Sequence, residues 1–287
     1  MTGGEHDGPL LEVRGLRVAY GSVTAVEGAD LVVQRGQRVA IVGESGSGKT
    51  SLGNAIGGFI DPLAGHVTAD ALLLEGRPLE RTFEVGMQER IPRRTPGLSM
   101  VFQDAMSSLD PVWTIGSQLT AVLRGVSAMS KKQARSEAVA WLREVGIAEP
   151  ERVMHDRPHQ LSGGMRQRVM MAIALSSKPS LLIADEPTSA LDASLAVVAM
   201  ELMVDLARRE GTAVLMVTHD IELCRRFTDV VVVMHRGRIV ETLASADLDR
   251  AQHPYTRGLV QCVPTLASAG LEVLPTLESV AGAEEAA

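Results

Sequence analysis

The sequence predicts an α/β fold: a largely parallel sheet with helices on both faces, an antiparallel β portion at the start and an inserted helical portion. Three observations predict it. Short apolar runs, Val39-Ala40-Ile41-Val42, Leu181-Leu182-Ile183-Ala184 and Val214-Leu215-Met216-Val217, alternate with stretches of helical spacing. The first run leads into a glycine-rich turn and then a helix-compatible segment, Thr50 to Ile56. Between residues 104 and 178 the character changes to helix.

Taken in order, Leu11, Val13, Leu16 and Val18 sit among polar residues and predict a first strand, Val26 to Val33 a second. Arg35-Gly36 turns the chain into the strand at 39–42. Asp61-Pro62-Leu63-Ala64-Gly65 reads as a turn, His66 to Leu74 as one further strand, and residues 83–94 as a short helix with Pro92 near its end. Leu98 to Phe102 is an apolar strand that delivers Gln103 to its tip. Ala134, Ala138, Trp141, Leu142 and Val145 keep helical spacing, and Gly146 is a suitable stop. The next helix starts at Ser162 and breaks at Lys178-Pro179. A helix through Leu195, Val198, Leu202 and Leu206 ends at Gly211, and a hairpin turns about Arg236-Gly237. The tail after 265 is rich in Ala and Glu and reads as loosely ordered.

The totals bound the function. The 287 residues can bury a substantial core, and 45% hydrophobic with 22% charged residues is an ordinary globular composition. A net charge of −7 argues against a protein that coats nucleic acid. Cys224 and Cys262 stand far apart and form neither a disulfide framework nor a metal knuckle, so a reducing compartment fits. Met1 to Pro9 has no apolar core like that of a signal peptide, and no apolar run is long enough to span a bilayer. The seven histidines show no ligand spacing, and the 13 methionines read as core filler.

Gly43-Glu44-Ser45-Gly46-Ser47-Gly48-Lys49-Thr50 has the G-x-x-x-x-G-K-[ST] pattern of a phosphate-binding P-loop, in the strand–loop–helix context it needs. Its glycines let successive N–H groups converge on one anion, and the helix N-terminus adds positive charge. Lys49 supplies a charge for the β- and γ-phosphates, the Thr50 hydroxyl suits Mg2+, and Ser51 is placed for the α-phosphate. Tyr20, one of eight aromatics, reads equally as an adenine platform or as strand packing.

Asp185 and Glu186 end an apolar strand, where Asp185 suits Mg2+ and Glu186 suits a general base acting on water. Leu161-Ser162-Gly163-Gly164 opens a helix with Ser162 as N-cap and two glycines exposing the first N–H groups, a second anion-binding helix end.

At this point the chain resembles the ATP-binding subunits of ABC transporters over about residues 10–265. Ser162, Gly163 and Gly164 belong to a stretch that matches the family's signature. The loop at 43–50 matches Walker A, Asp185-Glu186 matches Walker B, and Gln103 the Q-loop. Asp192, in Ser189-Ala190-Leu191-Asp192, matches the D-loop, and His219 the switch histidine. Tyr20 matches the adenine-stacking aromatic.

The resemblance implies a single ABC ATPase domain with a RecA-like P-loop NTPase core over 10–103 and 179–245, a helical subdomain at 104–178 and a C-terminal extension at 246–287. It implies ATP and Mg2+ as cofactors, with Thr50, Gln103 and Asp185 at the metal and Glu186, His219 and Gln103 in catalysis. Residues 43–51 and Tyr20 would bind ATP. Ser162, Gly163, Gly164 and Asp192 would serve the nucleotide across a head-to-tail pair.

Gln103-Asp104-Ala105-Met106-Ser107-Ser108-Leu109-Asp110-Pro111 and His253-Pro254-Tyr255-Thr256-Arg257 further resemble the dipeptide, oligopeptide and nickel importer branch. Ala105 departs from the usual proline. Without the resemblance, His253-Pro254-Tyr255 reads as a turn at a domain end. Some relatives hold an iron–sulfur centre near the C-terminus, and Cys262 alone cannot, so no iron–sulfur cluster is expected.

The implied partners are a second ABC ATPase subunit, sister or identical, two transmembrane permease subunits and an extracellular binding protein. The implied location is the cytoplasmic face of the membrane, and no nucleic-acid partner is expected. The alternative is a non-transport ABC ATPase acting on nucleic acid or ribosomes, which the acidic balance and single cassette disfavour. A GTPase or kinase fails because no N-K-x-D motif occurs and the Ser-Gly-Gly helix end would have no role.

Overall fold

The computed structural model describes residues 8–79, 95–103, 108–189 and 191–263. The helix expected over 83–94 and the tail after 265 lie outside the described residues. In chain order the first elements are β1 (Leu11–Tyr20), β2 (Val23–Val33), β3 (Arg38–Val42), α1 (Lys49–Gly57), β4 (His66–Thr68), β5 (Ala71–Leu74), β6 (Arg77–Pro78) and β7 (Leu98–Val101). There follow α2 (Ile115–Val126), α3 (Lys131–Glu144), α4 (Pro150–Val153), α5 (Gly163–Ser176), β8 (Leu181–Asp185) and α6 (Ala193–Arg209). The chain continues through β9 (Ala213–Val217), α7 (Ile221–Phe227), β10 (Val230–His235), β11 (Arg238–Ala244) and α8 (Pro254–Gln261). The described residues form two units, one drawn from those within 1–93 and 215–287, the other from those within 94–214.

In the first unit β1 and β2 pair antiparallel, and the alternation Leu11, Val13, Leu16, Val18 is buried as the pattern requires. The single strand expected at 66–74 is instead two, β4 and β5, both antiparallel to β1. The cause is local. Gly15 sits at φ +58° in a register shift of β1, and the Asp70 carboxylate fills the space a Cβ there would take. The Asp70 N–H donates to the Arg14 carbonyl at 2.9 Å, so the partner strand folds around the bulge instead of running through it. The order in this sheet is β2-β1-β5-β6, with β4 also on β1.

The same unit holds β3 with β10 parallel beside it, Val230 opposite Val39 and Val233 opposite Val42. β11 returns antiparallel along β10 after the turn at Arg236-Gly237. Four of the five β3 residues are buried, as a strand covered on both faces demands. Asp229 fixes where β10 starts: its carboxylate accepts from the Arg38 N–H at 2.9 Å, while its own N–H donates to the Arg38 carbonyl at 2.8 Å. Register at the strand starts therefore sets what lies at their far ends, where the loop of residue 43 begins.

In the second unit β7 and β8 run parallel, with Leu98 opposite Leu181 and Val101 opposite Ala184. Ala134, Ala138, Trp141, Leu142 and Val145 are all buried, and Gly146 at φ +77° ends the turn after α3. Met170 and Met171 are core residues of α5, a helix buried on most of its surface. Ser130 starts α3 with a reciprocal cap: its hydroxyl accepts from the Gln133 N–H at 3.3 Å, and Gln133 Oε1 accepts from the Ser130 N–H at 3.0 Å. Ser130→Ala is expected to lower stability by about 1 kcal/mol, read as a fall in thermal midpoint without change in nucleotide affinity. Among the described residues no helix is long and apolar enough to cross a membrane.

Candidate nucleotide-binding site

The loop from Gly43 to Thr50 leaves the buried end of β3 and curls into α1. Gly43, Gly46 and Gly48 have φ of +151°, +80° and +99°, a region that L side chains avoid. At two of them glycine is also required by space. A Cβ on Gly43 would collide with the Met234 carbonyl, and one on Gly48 with the Ala25 carbonyl. Gly46 faces open space at the crown. Lys49 is 5% exposed, and its ammonium donates to the carbonyls of Gly43 at 2.8 Å and Glu44 at 2.7 Å. The charge thus lies folded back over the loop and not in solvent. No side chain caps the start of α1, and its first turn has no acidic residue to offset the positive end of the helix dipole. A loop with three glycines at positive φ, a buried cation and a helix start with no side-chain cap suit a polyphosphate. Thr50, exposed on the first turn, offers a hard oxygen of the kind Mg2+ takes.

Two neighbours brace this loop, and sequence reasoning found neither of them. The Gly237 N–H, at the turn of the β10–β11 hairpin, donates to the Ser47 carbonyl at 3.0 Å, and the Gly237 carbonyl accepts from the Glu27 N–H at 2.8 Å. The phenol oxygen of Tyr255 accepts the Glu44 N–H at 3.0 Å. Tyr255 lies on α8, which replaces the turn expected at 253–255. His253 is its N-cap, accepting the Tyr255 N–H on Nδ1 at 3.2 Å, and Pro254 takes the first helical position. That His-Pro pairing was the available signal.

In the same unit His219 follows β9 as an exposed residue. Its neighbour Thr218 donates its N–H to the Ile41 carbonyl at 3.1 Å, which places the histidine beyond the end of the strand flanking β3. Tyr20 ends β1 with its ring packed over Gly65, 2.9 Å from where a Cβ would stand.

The second unit gathers the other residues. β8 is buried throughout and carries Asp185, 4% exposed, at its end. Glu186 follows in a left-handed conformation, φ +43°, a state that costs a non-glycine residue about 1–3 kcal/mol. The structure brings it to Gln103, whose Nε2 donates to Glu186 Oε2 at 2.9 Å. From α5 the Gln167 amide donates to the Pro187 carbonyl, tying that helix to the segment after Glu186. Asp192 caps α6, accepting from the N–H groups of Ser194 at 3.1 Å and Leu195 at 3.0 Å. The Leu195 N–H first, then the Ser194 hydroxyl, which donates to the same carboxylate at 2.7 Å, hold its carboxyl below the usual range.

Ser162 caps α5 by accepting the Met165 N–H at 3.3 Å, and a hydroxyl that accepts still has a proton to donate. A Cβ on Gly163 or Gly164 would meet nothing within 4 Å, and neither has a positive φ. Packing among the described residues therefore does not require glycine at these two positions.

A strand that ends in a glycine crank and a lysine-bearing helix start defines a P-loop nucleotide-binding protein. A family model described as "ABC transporter" matches residues 26–189. The oligopeptide transport ATP-binding protein AppD of Bacillus subtilis (strain 168) is 42% identical over 262 residues, 90% of this chain and 79% of AppD. The solved structure of CbiO1 from Clostridium perfringens, described as part of the ABC transporter complex CbiONQ, superposes with a TM-score of 0.68 at 26% identity, covering 85% of this chain and 92% of CbiO1. The dimeric structure of the ABC transporter cassette MJ0796 superposes with a TM-score of 0.67 at 28% identity, covering 82% of this chain and 98% of that one. The chain belongs to the ABC transporter family.

Proposed function

We propose that this ABC-type ATPase is the subunit that energises an importer for peptides, or for nickel or metal–chelator complexes, from the cytoplasmic face of the membrane. Its partners would be a second ATPase subunit, sister or identical, two permease subunits and an extracellular binding protein. The similarity to AppD supports the peptide branch. Residues 104–178 would act as the helical subdomain and 246–287 as the C-terminal extension.

Glycines 43, 46 and 48 with Glu44, Ser45, Ser47, Lys49, Thr50 and Ser51 would hold the phosphates, and Tyr20 the adenine. Thr50, Gln103 and Asp185 would hold Mg2+, which when bound neutralises phosphate charge. Glu186 accepts a proton from water as the water oxygen bonds the γ-phosphorus, and the bond from that phosphorus to the ADP oxygen breaks. Gln103 orients Glu186, and His219 donates a hydrogen bond to the γ-phosphate.

One observation supports the two-chain form of this site: the helix end Ser162-Gly163-Gly164 has glycines that packing among the described residues does not require. A close neighbour explains them, namely the phosphates of ATP held on another subunit. Asp192 would report across the same pair. Closure on ATP and reopening after hydrolysis would then drive the permeases.

The test is Gly163→Asp. The side chain has room, so the thermal midpoint and ATP affinity of the variant's own loop are expected to match wild type. A carboxylate facing the partner's phosphates should cut turnover at least roughly 20-fold, since like charges brought together cost several kcal/mol. Phosphate release is measured with the subunit alone and with its sister ATPase; undiminished release in both would remove the two-chain site.

A further inference from the structure

The phenol of Tyr255 reaches the nucleotide loop from the far end of the chain, and nothing in the ATPase reading above gives it a task. Its aim is tightly specified. Glu241 accepts the N–H groups of Gln252 at 2.8 Å and His253 at 3.2 Å, which ties the start of α8 to β11. The Tyr255 ring packs on His235, at the end of β10, with centroids 4.0 Å apart and planes 37° from parallel. The phenol oxygen then takes the Glu44 N–H. Burial, above all, raises the phenol's pKa, with the Glu44 carboxylate adding to it, so Tyr255 stays a neutral acceptor.

The loop needs such support. It holds three glycines at positive φ, each with more backbone freedom to lose than any other residue. Ser47 is tied through its carbonyl to Gly237, and Lys49 ties the Gly43 and Glu44 carbonyls from inside. Tyr255 supplies the tie on the N–H side at the loop's first turn. A loop ordered before binding spends less affinity on being ordered by it.

We propose that Tyr255 is a positioning residue that ties the C-terminal helix α8 to the P-loop, so that nucleotide affinity and the docking of α8 are thermodynamically linked. This rests on the reading of the loop as the ATP site. Linkage is reciprocal: whatever α8 docking adds to ATP affinity, ATP adds to α8 docking by the same factor. A segment or partner that pulls on residues 254–261 would then change the affinity of the site without touching it.

The experiment compares full-length wild type, Tyr255→Phe and Tyr255→Leu. Tyr255→Phe keeps the ring on His235 and deletes only the hydroxyl, with it the acceptor for the Glu44 N–H. It is expected to raise the Kd and KM for ATP about five-fold, the scale of one lost hydrogen bond, with kcat as in wild type; the same bond is made without nucleotide, so the nucleotide-free thermal midpoint should fall only slightly, by about 2–4 °C. Hydrogen exchange of the α8 amides should slow when ATP is added to wild type and respond less in Tyr255→Phe. The proposal is overturned if Tyr255→Phe binds ATP within two-fold of wild type. It is equally overturned if only Tyr255→Leu weakens binding, together with a lower nucleotide-free midpoint, because Tyr255 is then packing alone. If wild type itself binds no ATP, the ATPase reading fails and not merely the tether.

Discussion

Glu186→Gln is expected to bind ATP within about three-fold of wild type and to lose turnover by about 10²–10⁴-fold, the range for removal of a positioned general base. The substitution is a clean one here. Glu186 receives the Gln103 Nε2–H on Oε2 at 2.9 Å, and an amide oxygen at the same place can still accept it. The backbone demand is also unchanged, since neither Glu nor Gln relieves the left-handed φ of +43°. What is removed is the ability to take a proton from water. Single-turnover phosphate release alongside equilibrium binding of ATP separates the two effects. A variant that hydrolyses at the wild-type rate would take Glu186 out of the base's role and leave its backbone strain unexplained.

That strain has a functional direction. Asp185 completes a strand buried on every residue, and the chain then turns sharply enough that the next side chain leaves the sheet end toward Gln103. A relaxed strand would point residue 186 to the opposite face from 185 and carry it into the core. The left-handed turn, which costs about 1–3 kcal/mol, is what keeps the carboxylate at the strand tip. The neighbouring turn sustains it: the Ser189 N–H donates to the Glu186 carbonyl at 3.2 Å, and Gln167 holds Pro187.

Sequence patterns revealed what depends on local chemistry. The glycines at 43, 46 and 48, the Ser162 cap and the apolar β8 are each legible because their neighbours in sequence make the structure. The helical period through Trp141 and Leu142 is legible for the same reason. The division of residues 66–74 was not, because its cause is Gly15, in another strand, and the fit of Asp70 against it. α7 was also missed, although Asp220 is its N-cap and accepts the Leu223 N–H at 3.0 Å, and Glu222 in the first turn is a second signal. Tyr255 was beyond reach for a different reason: its partner, Glu44, is separated from it by 211 positions, and a pairing at that distance leaves no periodicity.

The remaining large effect is Lys49→Ala, expected to weaken ATP binding by about 10²-fold, near 3 kcal/mol, and to abolish turnover at ordinary ATP concentrations. Two losses combine. The phosphates lose a cation, and hydrogen bonds to charged groups contribute about 1.5–3 kcal/mol each. The loop also loses its internal clasp, because Lys49 Nζ bridges the Gly43 and Glu44 carbonyls within 2.8 Å. The second loss acts before any nucleotide arrives, so the nucleotide-free thermal midpoint should fall as well, which distinguishes this variant from Glu186→Gln. Adenosine, which has no phosphate, should be affected far less than ATP. Binding isotherms for the two ligands decide the matter: equal weakening of both would mean that Lys49 only shapes the loop, and unchanged ATP affinity would mean that residues 43–50 do not hold the phosphates at all.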